Sequence, residues 1–244
     1  MFDLSDKVIL ITGAGESVGS GIARVLAKYG ATIIVSDVSK TKADCVCETI
    51  FKAGGIGISV AFDITDFNAV SASLKSVTEK IGDIDILINN VGAVGPMELS
   101  AMAPFSSMKE DYWSRVIDQN LRGLLNCCQA VLGPMSSKNW GRIMTVSSSM
   151  SGFEEGGSCY AAGKSGAIGF IQQLAKETST HGITCNAISL EWKHNVSHTS
   201  PSLRNGLSVP LVGRTDDVGY LGLYLSTEAA SWISGQTIPF EIAY

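Results

Sequence analysis

Tyr160 and Lys164 stand four residues apart where a helical apolar pattern begins, and that spacing sets both side chains on one helix face. A free phenol with a pKa of about 10 is a poor base at neutral pH. A neighbouring ammonium favours the phenolate, and bringing the group to about 7 takes roughly 4 kcal/mol of differential stabilisation, which a desolvated cleft can supply. Three serines, Ser147, Ser148 and Ser149, close the apolar run that precedes this pair. Hydroxyls at the carboxyl end of a buried strand face the ligand crevice of an open sheet, although serines in a row are also ordinary turn formers. Together these residues suit proton exchange with an oxygen-bearing substrate.

A second set lies near the start of the chain. Thr12-Gly13-Ala14-Gly15-Glu16-Ser17-Val18-Gly19 follows an apolar run and opens a stretch rich in small residues, Ser20, Gly21 and Ala23. Glycines there let the backbone approach a pyrophosphate at a helix amino terminus; the plainer reading is a tight strand-to-helix turn. Asp37, eighteen residues past Gly19, ends the second apolar run, where a carboxylate accepts hydrogen bonds from the adenosine ribose hydroxyls or else caps the next helix. A 2′-phosphate would meet repulsion from Asp37 and Glu16. Neither Arg nor Lys occupies Ser36, Val38 or Ser39. The expected cofactor is therefore NAD rather than NADP.

The elements that must position these groups alternate. Runs 8–11, 33–35, 84–88, 143–146 and 183–188 are rich in β-branched residues and nearly free of polar alternation, which marks strands buried on both faces. Helical patterns span 18–29, 42–52, 69–81, 112–135 and 160–180. Strict alternation of this kind predicts an α/β, doubly wound parallel sheet, a Rossmann fold. No linker or repeat divides residues 1–244, which are taken as a single dinucleotide-binding domain. The irregular segment 191–209, about 19 residues, is long for a compact fold and is expected to act as a substrate lid.

Composition narrows the function classes. The 244 residues carry 18 Lys plus Arg against 23 Asp plus Glu, a net charge of −5, with 45% hydrophobic and 17% charged residues. That excludes a disordered chain, and the acidic balance without a basic cluster speaks against nucleic acid as a partner. The six cysteines form no C-x-x-C pair and read as reduced thiols of a cytoplasmic protein. Met1 to Asp6 is polar and acidic where a signal peptide is basic and then apolar, and no apolar run is long enough for a bilayer. Of the three histidines, His194 and His198 fall in the expected lid with Lys193 and Arg204, and they lack the further ligands of a metal site, so no metal is expected. Phe153 and Trp192 sit beside irregular segments and are expected to line or close the substrate pocket.

The order of these signals resembles the short-chain dehydrogenase/reductase family over nearly the whole chain. The resemblance rests on the turn at 12–19, Asp63-Ile64, Asn89-Asn90-Val91-Gly92, Gln119-Asn120-Leu121 and the Tyr160/Lys164 pair. It implies that Tyr160 is the acid/base and that Lys164 clamps the nicotinamide ribose while depressing the tyrosine pKa. Ser148 would hold the substrate oxygen, and Asn120 would kink its helix and carry a water that relays the proton from Lys164. Asp63 and Ile64 would flank adenine, with Asn90 to Gly92 supporting the adenosine ribose. Counting forward from Arg142 selects Ser148 as the acting serine; counting back the family's usual interval from Tyr160 selects Ser147. A homotetramer is implied, through 112–135 and 160–180.

Three departures stand out. Ser17 takes the place of the family's middle glycine, Leu190-Glu191 replaces its Pro-Gly, and Glu241-Ile242-Ala243 replaces its acidic-Gly-Gly ending. The expected activity is an NAD-dependent interconversion of a small secondary alcohol and a ketone. Two alternatives remain: a dehydrogenase-like protein that senses NAD without turnover, and a cofactor-free relative resembling halohydrin dehalogenases, which Lys164 and Asp37 oppose.

Overall fold

Each apolar run pairs in parallel with its neighbours, because helices cover both faces of the sheet they form. The computed structural model describes residues 2–92, 104–148, 156–193, 201–204, 207–210 and 213–243. Its strands are β1 (Val8–Thr12), β2 (Thr32–Asp37), β3 (Ile56–Ala61), β4 (Ile86–Asn89), β5 (Gly141–Ser148), β6 (Ile183–Lys193), β7 (Pro201–Arg204), β8 (Leu207–Pro210) and β9 (Thr237–Ala243). The helices are α1 (Ser17–Lys28), α2 (Lys40–Lys52), α3 (Phe67–Ile81), α4 (Glu110–Ile117), α5 (Gly123–Lys138), α6 (Ser158–Glu177) and α7 (Thr215–Leu225).

Seven strands make one sheet in the order β3-β2-β1-β4-β5-β6-β9, every pair parallel. The order reverses between β1 and β4, so a crevice opens at their carboxyl ends, where Thr12 and Asn89 are register partners. Successive strand residues feed opposite cores. Ile9, Ile11, Val35, Ile88 and Val146 pack with α1, α2 and α7, while Leu10, Ile34, Leu87, Ile143 and Cys185 pack with α3, α5 and α6. Ile9, Leu10 and Ile11 are all fully buried, each worth about 1.5–3 kcal/mol relative to exposure, which is why the strand shows no polar alternation.

The expected doubly wound parallel sheet is present as a single domain. Four details differ from the sequence reading. β3 lies at the sheet edge with Ile56 exposed, and its Gly and Ser positions hide it from an apolar-run criterion. The stretch 112–135 is not one regular helix: a π-helical turn over Asp118–Arg122 separates α4 from α5. Helix α7 lies outside the helical patterns read from the sequence; it buries Val218, Gly219, Gly222, Leu223 and Leu225.

The fourth difference corrects the bounds of the irregular segment. β6 does not end at Ile188 but runs to Lys193, with Glu191 beside Glu241 and Trp192 beside Ile242. A proline supplies no N–H to a ladder, and Leu190-Glu191 removes that interruption. Both departures from the family pattern, at 190–191 and at 241–243, thus lie side by side as paired strand. Farther along, β7 and β8 pair antiparallel, so 201–204 and 207–210 are not irregular either.

Candidate active site

The glycine turn is built by lacing the ends of β1 and β4 together. Thr12 Oγ1 accepts from the N–H groups of Asn90 (3.1 Å) and Val91 (3.5 Å), and Asn90 Nδ2 donates to the Gly13 carbonyl at 2.9 Å. Gly13 takes φ +61°, open to glycine at little cost, and a Cβ on Gly19 would lie 2.6 Å from Asn90 Nδ2. Val18 is buried beneath the turn. No side chain caps α1 at Glu16, so the first-turn N–H groups are left for an anion. Ser17, where the family pattern has a glycine, holds a left-handed backbone at φ +51°.

Asp37 accepts from Gly15 N–H at 3.2 Å through Oδ2 and from Ser39 N–H at 2.9 Å through Oδ1. The carboxylate therefore braces both the glycine turn and the start of α2, and its remaining lone pairs can still accept ribose hydroxyls. A Cβ on Gly15 would lie 2.6 Å from Asp37 Oδ2 and 2.7 Å from Lys42 Cβ, so only glycine lets these three groups meet. Lys42 was not among the residues singled out by sequence. Its Nζ reaches Glu16 Oε2 at 2.8 Å, a partner 26 residues away, and Glu16 raises its pKa through that hydrogen bond and through charge. Asp63 is exposed and closes a local turn, accepting from the Thr65 N–H and hydroxyl at 2.8 Å each. Ile64 is buried, its carbonyl accepting from Asn126 Nδ2 at 2.8 Å.

On α6, Tyr160 and Lys164 share one buried face, as their spacing predicts. Tyr160 packs with Val116 and Cys159, with Met108, Tyr112 and Trp113 around them. Lys164 Nζ lies 5.7 Å from the centre of the Tyr160 ring and donates to the Val146 carbonyl of β5 at 3.2 Å. Burial lowers the lysine's pKa from 10.5 to about 7, since the charged form is desolvated.

Asn120 reaches the same place through the π turn. A π turn leaves a carbonyl without its usual partner, and Asn120 Nδ2 donates to Val116 O at 2.8 Å. Its buried Oδ1 has no hydrogen-bond partner among the described residues. Gly92, at φ +100°, passes over both groups: a Cβ there would overlap Asn120 Oδ1 and lie 3.1 Å from Lys164 Nζ. Gly163 lets α6 close on Asn120, whose Cβ would be 2.8 Å from a Cβ at 163. Gly163 was not singled out by sequence; it matters through packing across elements.

The two candidate serines diverge. Ser147 Oγ donates to the Lys164 carbonyl at 3.3 Å, on the α6 side of the sheet, whereas Ser148 Oγ donates to Leu190 O at 3.4 Å. Ser149, Phe153, His194 and His198 lie outside the described residues, as do the side chains of Trp192, Lys193 and Arg204. Of the expected lid at 191–209, residues 194–200 and 205–206 lie outside them too.

These residues fit a nicotinamide dinucleotide by the chemistry of their donors and acceptors. An uncapped helix amino terminus would meet the diphosphate, a carboxylate one ribose, and a buried ammonium beside an unpartnered amide oxygen the other. Among the described residues no cluster of three metal-ligating side chains occurs, and no helix is long and apolar enough to cross a membrane.

Comparison with known proteins agrees. The short chain dehydrogenase family model matches residues 7–192. A 3-oxoacyl-(acyl-carrier-protein) reductase of Vibrio harveyi is 31% identical over 243 residues, covering 97% of this chain and 96% of that one. Nodulation protein G of Azospirillum brasilense is 32% identical over 244 residues, covering 96% of each. Among solved structures, a hydroxysteroid dehydrogenase from Escherichia coli superposes with a TM-score of 0.83 at 27% identity, covering 98% of this chain and 97% of that one. A short-chain type dehydrogenase/reductase from Mycobacterium marinum gives 0.85 at 26% identity, covering 98% and 95%. With motifs, sheet order and full-length relatives in agreement, the chain belongs to the short-chain dehydrogenase/reductase family.

Proposed function

We propose that this chain is an NAD-dependent oxidoreductase that interconverts a secondary alcohol and a ketone. The observation that carries the reading is Lys164: a buried ammonium-bearing side chain set 5.7 Å from the Tyr160 ring centre, beside the unpartnered Asn120 Oδ1. The glycine turn, Asp37, Asn90 and Lys164 would hold the dinucleotide, which when bound supplies or takes the hydride.

The chain's own part is the proton. In the reducing direction Tyr160 Oη gives its proton to the substrate oxygen as charge develops there, and Ser148 donates a hydrogen bond to the same oxygen. Ser148 is taken as the acting serine from its place in the family pattern, since both hydroxyls donate to a carbonyl, Ser147 to that of Lys164 and Ser148 to that of Leu190. Lys164 stabilises the phenolate left behind, and a water on Asn120 Oδ1 would return the proton. Oxidation runs the same steps backwards.

Several relatives are named for oxo or hydroxy substrates, so 3-oxoacyl thioesters and hydroxysteroids join secondary alcohols, diols and hydroxy acids in the test. Dinucleotide-linked turnover of any of these supports the reading. A second reading, a protein that holds NAD without turnover, is favoured by the passage of β6 as strand through positions 190–191, which reshapes the neighbourhood of the reacting end. Tight NAD binding with a wholly negative panel would establish that second reading instead.

A further inference from the structure

The carboxylate pair Asp37 and Glu16 explains why a 2′-phosphate is unwelcome, but it does not explain Lys42. This lysine rises from the first turns of α2, and its Cβ faces the same point above Gly15 as Asp37 Oδ2. A cation standing there would welcome a 2′-phosphate. Its Nζ is instead turned onto Glu16 Oε2 at 2.8 Å, across the entrance of the glycine turn. The neighbouring Lys40 is already held by Asp44 and by Ser59, the latter at 2.7 Å.

We propose that Glu16 and Lys42 form a cofactor-selecting latch: Glu16 ties down a cation that would otherwise serve as a ligand for a 2′-phosphorylated adenosine. Lys42 is thus a latent specificity residue and Glu16 a selecting one, beyond the ribose role of Asp37. The inference rests on the dinucleotide-binding reading above. The latch has two effects of the same sign, since Glu16 repels the phosphate directly and also removes Lys42 from its reach. Both side chains are about half or more exposed, so the ion pair adds little to fold stability and can be opened without unfolding the turn.

Binding tests this without turnover. Dissociation constants for NADH and NADPH are measured by ligand fluorescence, and those for adenosine 5′-phosphate and adenosine 2′,5′-bisphosphate by calorimetry, in wild type, Glu16→Gln, Lys42→Met and the double variant. Wild type is expected to favour the ligands without a 2′-phosphate. Glu16→Gln should shrink that preference by about tenfold, and adding Lys42→Met should take most of the gain away. Lys42→Met alone should change the preference little. An unchanged ratio in Glu16→Gln overturns the latch, and so does an equal gain in the single and double variants, which would leave repulsion by Glu16 as the whole effect. Wild type that binds neither dinucleotide, or that favours NADPH, is a different failure: it overturns the NAD reading on which the latch rests.

Discussion

Lys164 points its Nζ at the Val146 carbonyl, 3.2 Å away, and among the described residues no carboxylate pairs with it. The site thus keeps a cation in a dry place with one carbonyl for company. Such an arrangement costs stability and is understandable where the charge is needed for chemistry.

The cost has a sign in pH. The folded chain holds this pKa at about 7 against an ordinary value of 10.5, so between those limits the unfolded chain binds the extra proton. The penalty is fully present below about 7 and fades as pH rises toward 10.5. Lys164→Met should therefore be more stable than wild type by about 2–4 kcal/mol near neutrality in the absence of dinucleotide, with the gap narrowing as pH climbs. Urea melts from pH 7 to 10.5 check this. A gap that stays constant or widens with pH contradicts it.

Gly92 passes close against the Asn120 side chain. Its φ of +100° disfavours any side chain, and a Cβ would overlap Asn120 Oδ1. Gly92→Ala should lose about 2–4 kcal/mol of stability and more than about tenfold in turnover. Calorimetric melts and initial rates read the two losses, and a variant with wild-type values for both would show that the loop yields freely.

Ser17 gives the opposite expectation. It is exposed and holds φ +51°, a conformation that glycine adopts at less cost. Ser17→Gly should raise stability by about 0.5–1 kcal/mol, or about 2 °C in Tm. A lower Tm would mean that the serine hydroxyl earns its place in the turn.

What the chain discloses by itself follows from where its signals are local. The strands Val8–Thr12 and Gly141–Ser148 are legible because two-sided burial makes them unbroken apolar runs. The Tyr160/Lys164 face is legible because helical spacing alone places both groups. The edge strand Ile56–Ala61 is not, since one-sided exposure admits Gly57 and Ser59. Nor is the extension of β6: Glu191 carries a charge that argues against a buried strand, and its strand partner, Glu241, lies fifty residues on. Lys42 is invisible for the same reason, because its partner Glu16 lies across a strand and a turn.

Tyr160 is proposed to move the proton in a site otherwise devoted to holding dinucleotide and substrate. The direct test is Tyr160→Phe, with turnover on the best substrate of the panel and NADH affinity measured on the same preparation. The ring remains and only the hydroxyl is lost, so affinity should stay within about twofold while kcat falls by roughly a hundredfold or more. Turnover retained at near the wild-type rate, with binding intact, would mean that another group transfers the proton and that the account is wrong at its centre.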